Sequence, residues 1–250
     1  MQDLQQNSTV LSDEEISARI AINSRKQKKL GHYYGGVFAY EGECYGCIDR
    51  VPFLEERLIE LGANKSDQQS IFKRKSLKDE LPLKLDGLTL EVLFSVRSPY
   101  SYLALQQLIA FRKCYPIKIV YRPILPMVMR GMVINREKMF YILSDCKMIA
   151  EKKGIPFGNI ADPLGKAVER CYSLFKFIKK KDKEEDYFNT FLRAVWSKGQ
   201  HGSLDKTIRN VVEKLGLSWE DAKKELDNDD WLEEIEATRL LLYGLSSIHT

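Results

Sequence analysis

Cysteine is scarce and unpaired in this chain: five residues among 250, an odd number and mostly isolated. That usage argues against a disulfide framework and for a reducing compartment. Long apolar runs are missing too. No stretch approaches the ~20 apolar residues of a membrane span, and Met1 to Thr9 has neither the basic nor the apolar region of a secretory signal. A cytoplasmic protein without a membrane partner is the expectation. Charge of one sign is also lacking, since 39 basic and 35 acidic residues leave a net charge of +4. The longest basic run, Lys179 to Lys183, is followed by Glu184, Glu185 and Asp186, which reads as a solvated helix end and gives no sign of a nucleic-acid partner. Neither His201 nor His249 has a cysteine or acid at a nucleophile-activating spacing. Gly35-Gly36 is an isolated pair rather than a phosphate-binding loop, and nothing repeats at a fixed period of about 20 to 50 residues.

What is present is the composition of compact globular units, 44% hydrophobic and 30% charged. Residues 1–11 read as a polar, disordered tail. Ser12-Asp13-Glu14-Glu15 has capping-box spacing and opens a helix to about Lys29, which Gly31 stops. Tyr33 to Tyr40 and Cys44 to Ile48 flank Glu41-Gly42-Glu43 as the arms of a hairpin. Asp49 is placed to cap a following helix with Leu54, Leu58 and Leu61 on one face. Residues 64–86 are polar and basic without a sustained period and read as a linker.

Beyond residue 87 the pattern changes. Leu90 to Val96 is a near-continuous apolar strand, Ser101 to Lys113 a helix burying Leu105, Leu108 and Ile109, and Ile117 to Tyr121 a second strand. A strand, helix and strand of this length implies parallel pairing through a right-handed crossover. After Pro126 the chain reads as helix: about Arg136 to Lys153, Ala167 to Lys181, Glu185 to Lys198, Asp205 to Leu215, Trp219 to Leu226 and Asp230 to Leu242, with Ser218 and Asp221 as a further capping signal. The aromatic stripe Tyr172, Phe175, Tyr187, Phe188 and Phe191 is at helical spacing and reads as core.

Arg97-Ser98-Pro99-Tyr100-Ser101-Tyr102-Leu103 stands at the turn from strand to helix. A helix mouth presents unpaired N–H groups and the positive end of the helix dipole; Ser98 puts a hydroxyl there, and Pro99 pre-sets the first turn. Redox thioredoxin folds carry Cys-Pro-aromatic-Cys at this turn, where both cysteines are here Ser98 and Ser101. Serine exchanges no disulfides, but it donates a hydrogen bond to another molecule's thiolate. Ser98 as a plain helix cap is the alternative.

This motif, the strand ending in Tyr121-Arg122-Pro123 and the helical insertion resemble the family of 2-hydroxychromene-2-carboxylate isomerases and kappa-class glutathione transferases, in the DsbA-like branch of thioredoxin folds. The likeness continues through Lys138, Tyr141, Asp145 and Ala150 into Gly154-Ile155-Pro156-Phe157. It recurs at Ala194-Val195-Trp196 and Glu213-Lys214-Leu215-Gly216, covering about residues 88 to 245. The resemblance implies an α/β, DsbA-like thioredoxin fold with a β-α-β unit over 88–123 and a large all-helical insertion over 124–243. It also implies glutathione as cosubstrate and no metal, with Ser98 as the catalytic hydroxyl that keeps the glutathione sulfur as thiolate, beside Pro99 and Tyr100. The second substrate is then an aromatic or carboxylated electrophile. Lys138, Tyr141 and Asp145, at i, i+3 and i+7, share a helical face and are candidate substrate contacts, with Arg97 and Arg122 as further anion candidates. An ordinary solvent-facing helix is the alternative for that face. Members of this family tend to be dimers, which suggests a homodimer.

Cys44-Tyr45-Gly46-Cys47-Ile48-Asp49-Arg50-Val51 resembles another part of the same family, its closing hairpin and terminal helix, which carries an aromatic-Gly-x-Asp-Arg-Leu motif. Cys47 stands where that glycine belongs. The resemblance assigns the γ-glutamyl end of glutathione to Asp49 and Arg50. A closing half ahead of an opening half implies a tandem-domain protein, with residues 12–63 ending a first thioredoxin-like domain and residues 87–250 beginning a second that lacks its last strands. His249 occupies the place of the proline that precedes the family's third strand. On this reading the edge of Leu90 to Val96 is bare, and the hairpin Tyr33 to Ile48 adds to it in a permuted or incomplete sheet. The linker, at roughly 20 residues, reaches ~60 Å and so permits this.

Cys44-Tyr45-Gly46-Cys47 has the spacing of a redox or zinc motif, but it lies in a hairpin arm, with no second Cys-x-x-Cys to complete four ligands. Structural cysteines are expected. The sequence thus supports a glutathione-dependent isomerase or transferase. A disulfide oxidoreductase using Cys44 and Cys47, and a non-catalytic binding or scaffold remnant, are the alternatives.

Overall fold

The structure is a computed structural model that describes residues 11–33, 35–63, 70–72 and 87–246. The chain divides into two compact units, Met1–Arg74 with Asn135–Tyr141, and Lys75–Ile134 with Ile142–Thr250.

In the first unit α1 (Asp13–Lys29) begins with a closed capping box. The Glu15 N–H donates to Ser12 Oγ at 3.3 Å and the Ser12 N–H to Glu15 Oε2 at 2.9 Å, as the sequence spacing predicts. β1 (Val37–Tyr40) and β2 (Glu43–Gly46) pair antiparallel with Val37 opposite Gly46. Their two-residue turn has positive φ at both Glu41 (47°) and Gly42 (84°), the geometry that matches strand twist. The predicted helix cap at Asp49 is not formed. Ile48–Arg50 wind into a single 3-10 turn that takes Asp49 inside it, and α2 (Val51–Glu60) starts after Arg50 with no side-chain cap and a proline in its first turn. Phe53 is the buried residue of α2, whereas Leu54 and Leu58 are half-buried and Leu61 is exposed. From the linker stretch, Ser70, Ile71 and Phe72 all hydrogen-bond the Glu55 carboxylate, which lowers its pKa, the Ser70 bond first among the causes. Residues 64–69 and 73–86 of that stretch, and His249, lie outside the described residues.

In the second unit β3 (Thr89–Phe94), α3 (Pro99–Cys114) and β4 (Lys118–Pro123) form the predicted β-α-β, the strands parallel with Phe94 opposite Pro123. Among the described residues β3–β4 and β1–β2 are separate two-stranded sheets. The arms β1 and β2 pair with each other as the sequence predicts, and the expected addition of that hairpin to β3 is not among the strand pairings of the described residues. The helices α4 (Arg136–Lys153), α5 (Lys166–Ser173), α6 (Phe175–Lys179), α7 (Glu184–Ser197), α8 (Asp205–Lys214), α9 (Trp219–Lys224) and α10 (Trp231–Ser246) follow. The single helix predicted from Ala167 to Lys181 is broken at Leu174. There Ser173 Oγ donates to Arg170 O at 3.0 Å and accepts from the Asp227 N–H at 3.2 Å, a side chain competing with the helix for backbone groups.

Tyr172, Phe175, Tyr187, Phe188 and Phe191 are at most 2% exposed, so the aromatic stripe is core. Phe94 of β3 meets Phe188 of α7 edge to face at 4.4 Å, joining sheet to helices. The buried Arg170 guanidinium bonds Ser203 O, Asp205 and Asp227, tying α5 to the start of α8. No helix among the described residues is long and apolar enough to cross a membrane.

Cys47 has φ 61° and ψ 174°, a backbone region used almost only by glycine at a cost of about 1–3 kcal/mol for other residues. Cys47→Gly is expected to gain about 1 kcal/mol after the larger unfolded-state entropy of glycine is subtracted, read as a higher urea midpoint; an unchanged or lower midpoint contradicts it.

Candidate functional site

The chain leaves β3 at Phe94, turns through residues 95–97 and enters α3 with Ser98 as N-cap, φ −92° and ψ 116°. The Ser101 N–H donates to Ser98 Oγ at 3.3 Å, the Ser98 N–H to Ser95 O at 2.9 Å, and the Ser95 N–H to Ser101 Oγ at 3.3 Å. Ser98 is half-buried, not sealed beneath the core. Its two sequence readings are therefore compatible. Capping occupies a lone pair of Oγ, while the hydroxyl proton is still there to be donated.

What holds this turn lies in the helices. Val96 is fully buried. Its N–H donates to Tyr172 Oη at 3.2 Å, and its carbonyl accepts from Trp196 Nε1 at 3.1 Å. The Tyr172 hydroxyl in turn donates to Ile124 O at 2.9 Å, just past the end of β4. Burial pushes the Tyr172 hydroxyl far above its ordinary pKa, so it stays protonated and serves both bonds. Next along the chain, the Arg97 guanidinium forks onto Asp162 at 2.9 and 2.8 Å. The segment bearing Asp162 is sewn to α7 by the Gly158 N–H to Trp196 O (3.1 Å) and the Ala161 N–H to Val195 O (2.8 Å).

Of the predicted site residues, the structure brings Tyr100 and Asp145 together: Tyr100 Oη donates to the buried Asp145 carboxylate at 2.6 Å. Arg97 and Arg122 each already face a carboxylate, Asp162 for the former and Glu91 at 2.7 Å for the latter. Lys138 and Tyr141 lie in the N-terminal unit and Asp145 in the other. Tyr141 Oη accepts from the Gly46 N–H at 3.1 Å, its ring meets His32 edge to face at 4.2 Å, and Lys138 Nζ stands 5.4 Å over the Tyr33 ring. Asp49 and Arg50 pair with each other at 2.5 Å, the aspartate exposed. Cys44 and Cys47 are free thiols. Burial raises the Cys44 pKa, which makes it a poor nucleophile at neutral pH. Among the described residues no group of three or more His, Cys, Asp or Glu is placed to hold a metal. Sequence reasoning missed Tyr172, Trp196 and Asp162 as supports of the Ser98 turn. Tyr172 was legible only as core, and Trp196 only as a family anchor.

A family model described as the DSBA-like thioredoxin domain matches residues 89–245. Among solved structures, a 2-hydroxychromene-2-carboxylate isomerase is similar at 24% identity and TM-score 0.52, over 60% of this chain and 77% of that one. The cytosolic disulfide reductase DsbM from Pseudomonas aeruginosa with GSH is similar at 15% identity and TM-score 0.46, over 64% of this chain and 81% of that one. A probable DsbA oxidoreductase from Streptomyces coelicolor follows at 14% identity and TM-score 0.46, over 60% and 73%. No curated protein matches.

A Cβ on Gly46 would collide with the Tyr141 hydroxyl, which ends a rigid, buried ring. Gly46→Ala is expected to cost about 1–3 kcal/mol in chemical denaturation, and Tyr141→Phe, by removing the struck atom, to recover part of that loss. A double variant no more stable than Gly46→Ala contradicts the contact.

Proposed function

We propose that this chain, which belongs to the DSBA-like thioredoxin domain family and has its α/β, DsbA-like fold, is a glutathione-dependent isomerase or transferase in which Ser98 holds the cosubstrate sulfur as thiolate. One observation carries the reading. Ser98 Oγ, at the half-exposed mouth of α3, accepts from the Ser101 N–H and keeps its own proton to donate. A donated hydrogen bond and the positive end of the helix dipole both favour the charged form of a bound thiol. The N–H bonded to Oγ polarises the hydroxyl in the direction that strengthens its donation.

The chemistry follows from the anion. A free thiol has a pKa of about 8.5 and is mostly protonated at neutral pH; lowering it by ~2 units makes the thiolate the major species. The thiolate adds to an electrophilic carbon of the second substrate. The double bond attacked opens and its electron pair passes to the group that activates it; if that pair re-forms the double bond after a rotation and expels the sulfur, the outcome is isomerisation, and if it takes up a proton from solvent, the sulfur stays and the outcome is transfer. Tyr100, held by Asp145, stands two residues after Ser98 in the first turn of α3, where an aromatic or carboxylated electrophile is proposed to bind. The serines at positions 98 and 101 oppose disulfide exchange at this turn. A reducing, cytoplasmic setting belongs to the same reading, since the cosubstrate is a reduced thiol.

Thermal melting with reduced glutathione against S-methylglutathione tests this. The free thiol is expected to raise the melting temperature more than the methylated form. Ser98→Ala is expected to abolish that difference, weakening thiolate binding roughly tenfold or more, as fits a charge-assisted bond of ~1.5–3 kcal/mol. A wild-type melting temperature indifferent to millimolar glutathione, or a Ser98→Ala protein that behaves as wild type, overturns the proposal.

A further inference from the structure

The sheet stops before the site begins. Phe94 is the last residue of β3 with a partner in β4, and the Ile124 N–H to Phe94 O bond of 2.8 Å is the last backbone bond between the strand ends. Val96 lies beyond it, fully buried, with a peptide N–H and a carbonyl that water does not reach. Left unbonded, such groups cost as much as a lost hydrogen bond each. The side chains of Tyr172 and Trp196 take one each. Because the Tyr172 hydroxyl also donates to Ile124 O, it bridges the two strand ends as one further rung, made by a side chain where the backbone ladder has run out.

We infer that Tyr172 and Trp196 are positioning residues for Ser98, fixing the serine hydroxyl at the α3 mouth by holding both backbone groups of Val96, an assignment that rests on the glutathione reading for its functional consequence. Both side chains are anchored in the core, at 0% and 3% exposure, and both aim their polar atom at one residue two positions ahead of the serine. Packing alone asks for neither the hydroxyl nor the indole N–H. Hydrogen-bond donation to a ligand atom depends on placement within about 1 Å, so a turn released by loss of these bonds loses function before it loses its fold. Arg97–Asp162 is a further tether to the turn, but the Asp162 side chain is half exposed and open to solvent screening.

The test compares two hydroxyl deletions. Tyr187 also buries its hydroxyl on a backbone carbonyl, Cys171 O at 2.9 Å, outside residues 95–98. Tyr172→Phe and Tyr187→Phe are expected to lose similar stability in urea. Amide hydrogen exchange at Val96, Ser98 and Ser101 is expected to quicken roughly tenfold in Tyr172→Phe and to stay at the wild-type rate in Tyr187→Phe after correction for global stability. The ultraviolet thiolate absorbance of bound glutathione, titrated against pH, is expected to move up by about one unit in Tyr172→Phe, a tenfold smaller thiolate fraction on the acid limb, and not in Tyr187→Phe. Trp196→Phe is expected to behave as Tyr172→Phe wherever it folds. Unchanged exchange in Tyr172→Phe overturns the inference, as does an unchanged thiolate titration in a variant whose exchange has quickened. A wild type that leaves the glutathione titration untouched, while exchange responds as expected, sinks the glutathione reading and leaves the placement of the turn by Tyr172 supported.

Discussion

The peptide groups of Val96 must find hydrogen-bond partners away from both water and the strand ladder, and the rest of the second unit is arranged around that need. Strand pairing ends at Phe94, so the partners come from α5 and α7. The aromatic core then does more than exclude water. Tyr172 packs on the Trp231 ring and Trp196 stacks on the Phe157 ring, both inside the core, and that burial fixes where their polar atoms point. A helical insertion packed on a minimal sheet thereby sets the geometry of a strand-to-helix turn, which a larger sheet would set with its own backbone.

The magnitudes favour this division of labour. An intramolecular hydrogen bond contributes only ~1 kcal/mol net, but a buried group left without one costs about 1–3 kcal/mol. The turn therefore has few alternatives to its observed shape. Ser98 sits downstream of that constraint with its oxygen turned to the helix and its proton still to be used. Arg97, which sequence reasoning offered as an anion contact, is spent on Asp162, and Arg122 on Glu91. The positive end of α3 and the serine hydroxyl are what the turn itself offers an incoming anion.

Much of the fold was legible because local signals agreed with it. The Ser12 and Ser218 caps, the Glu41-Gly42 turn, the parallel β3 and β4 and most helix limits follow from capping chemistry, turn residues and periodicity. The misses came where a distant or rarer interaction prevailed. Asp49 reads as a cap, but the unusual backbone of Cys47 winds a 3-10 turn that takes it inside. Ser173 looks like any helical serine until the Asp227 N–H, far along the chain, bonds its hydroxyl and the helix breaks. In the candidate site the motif at Ser98 was readable, but its supports were not. A buried tyrosine at helical spacing carries no sign of which backbone group its hydroxyl meets.

The Ser101 amide donates its N–H to the Ser98 oxygen proposed to hold the glutathione sulfur. Its nuclear magnetic resonance shift, followed as reduced glutathione is added, should move along a saturating curve with the Ser98 and Tyr100 amides, and should stay still with the oxidised disulfide form. A Ser101 amide that stays in place while glutathione binds elsewhere, or a spectrum that glutathione leaves unchanged throughout, would contradict that role of Ser98.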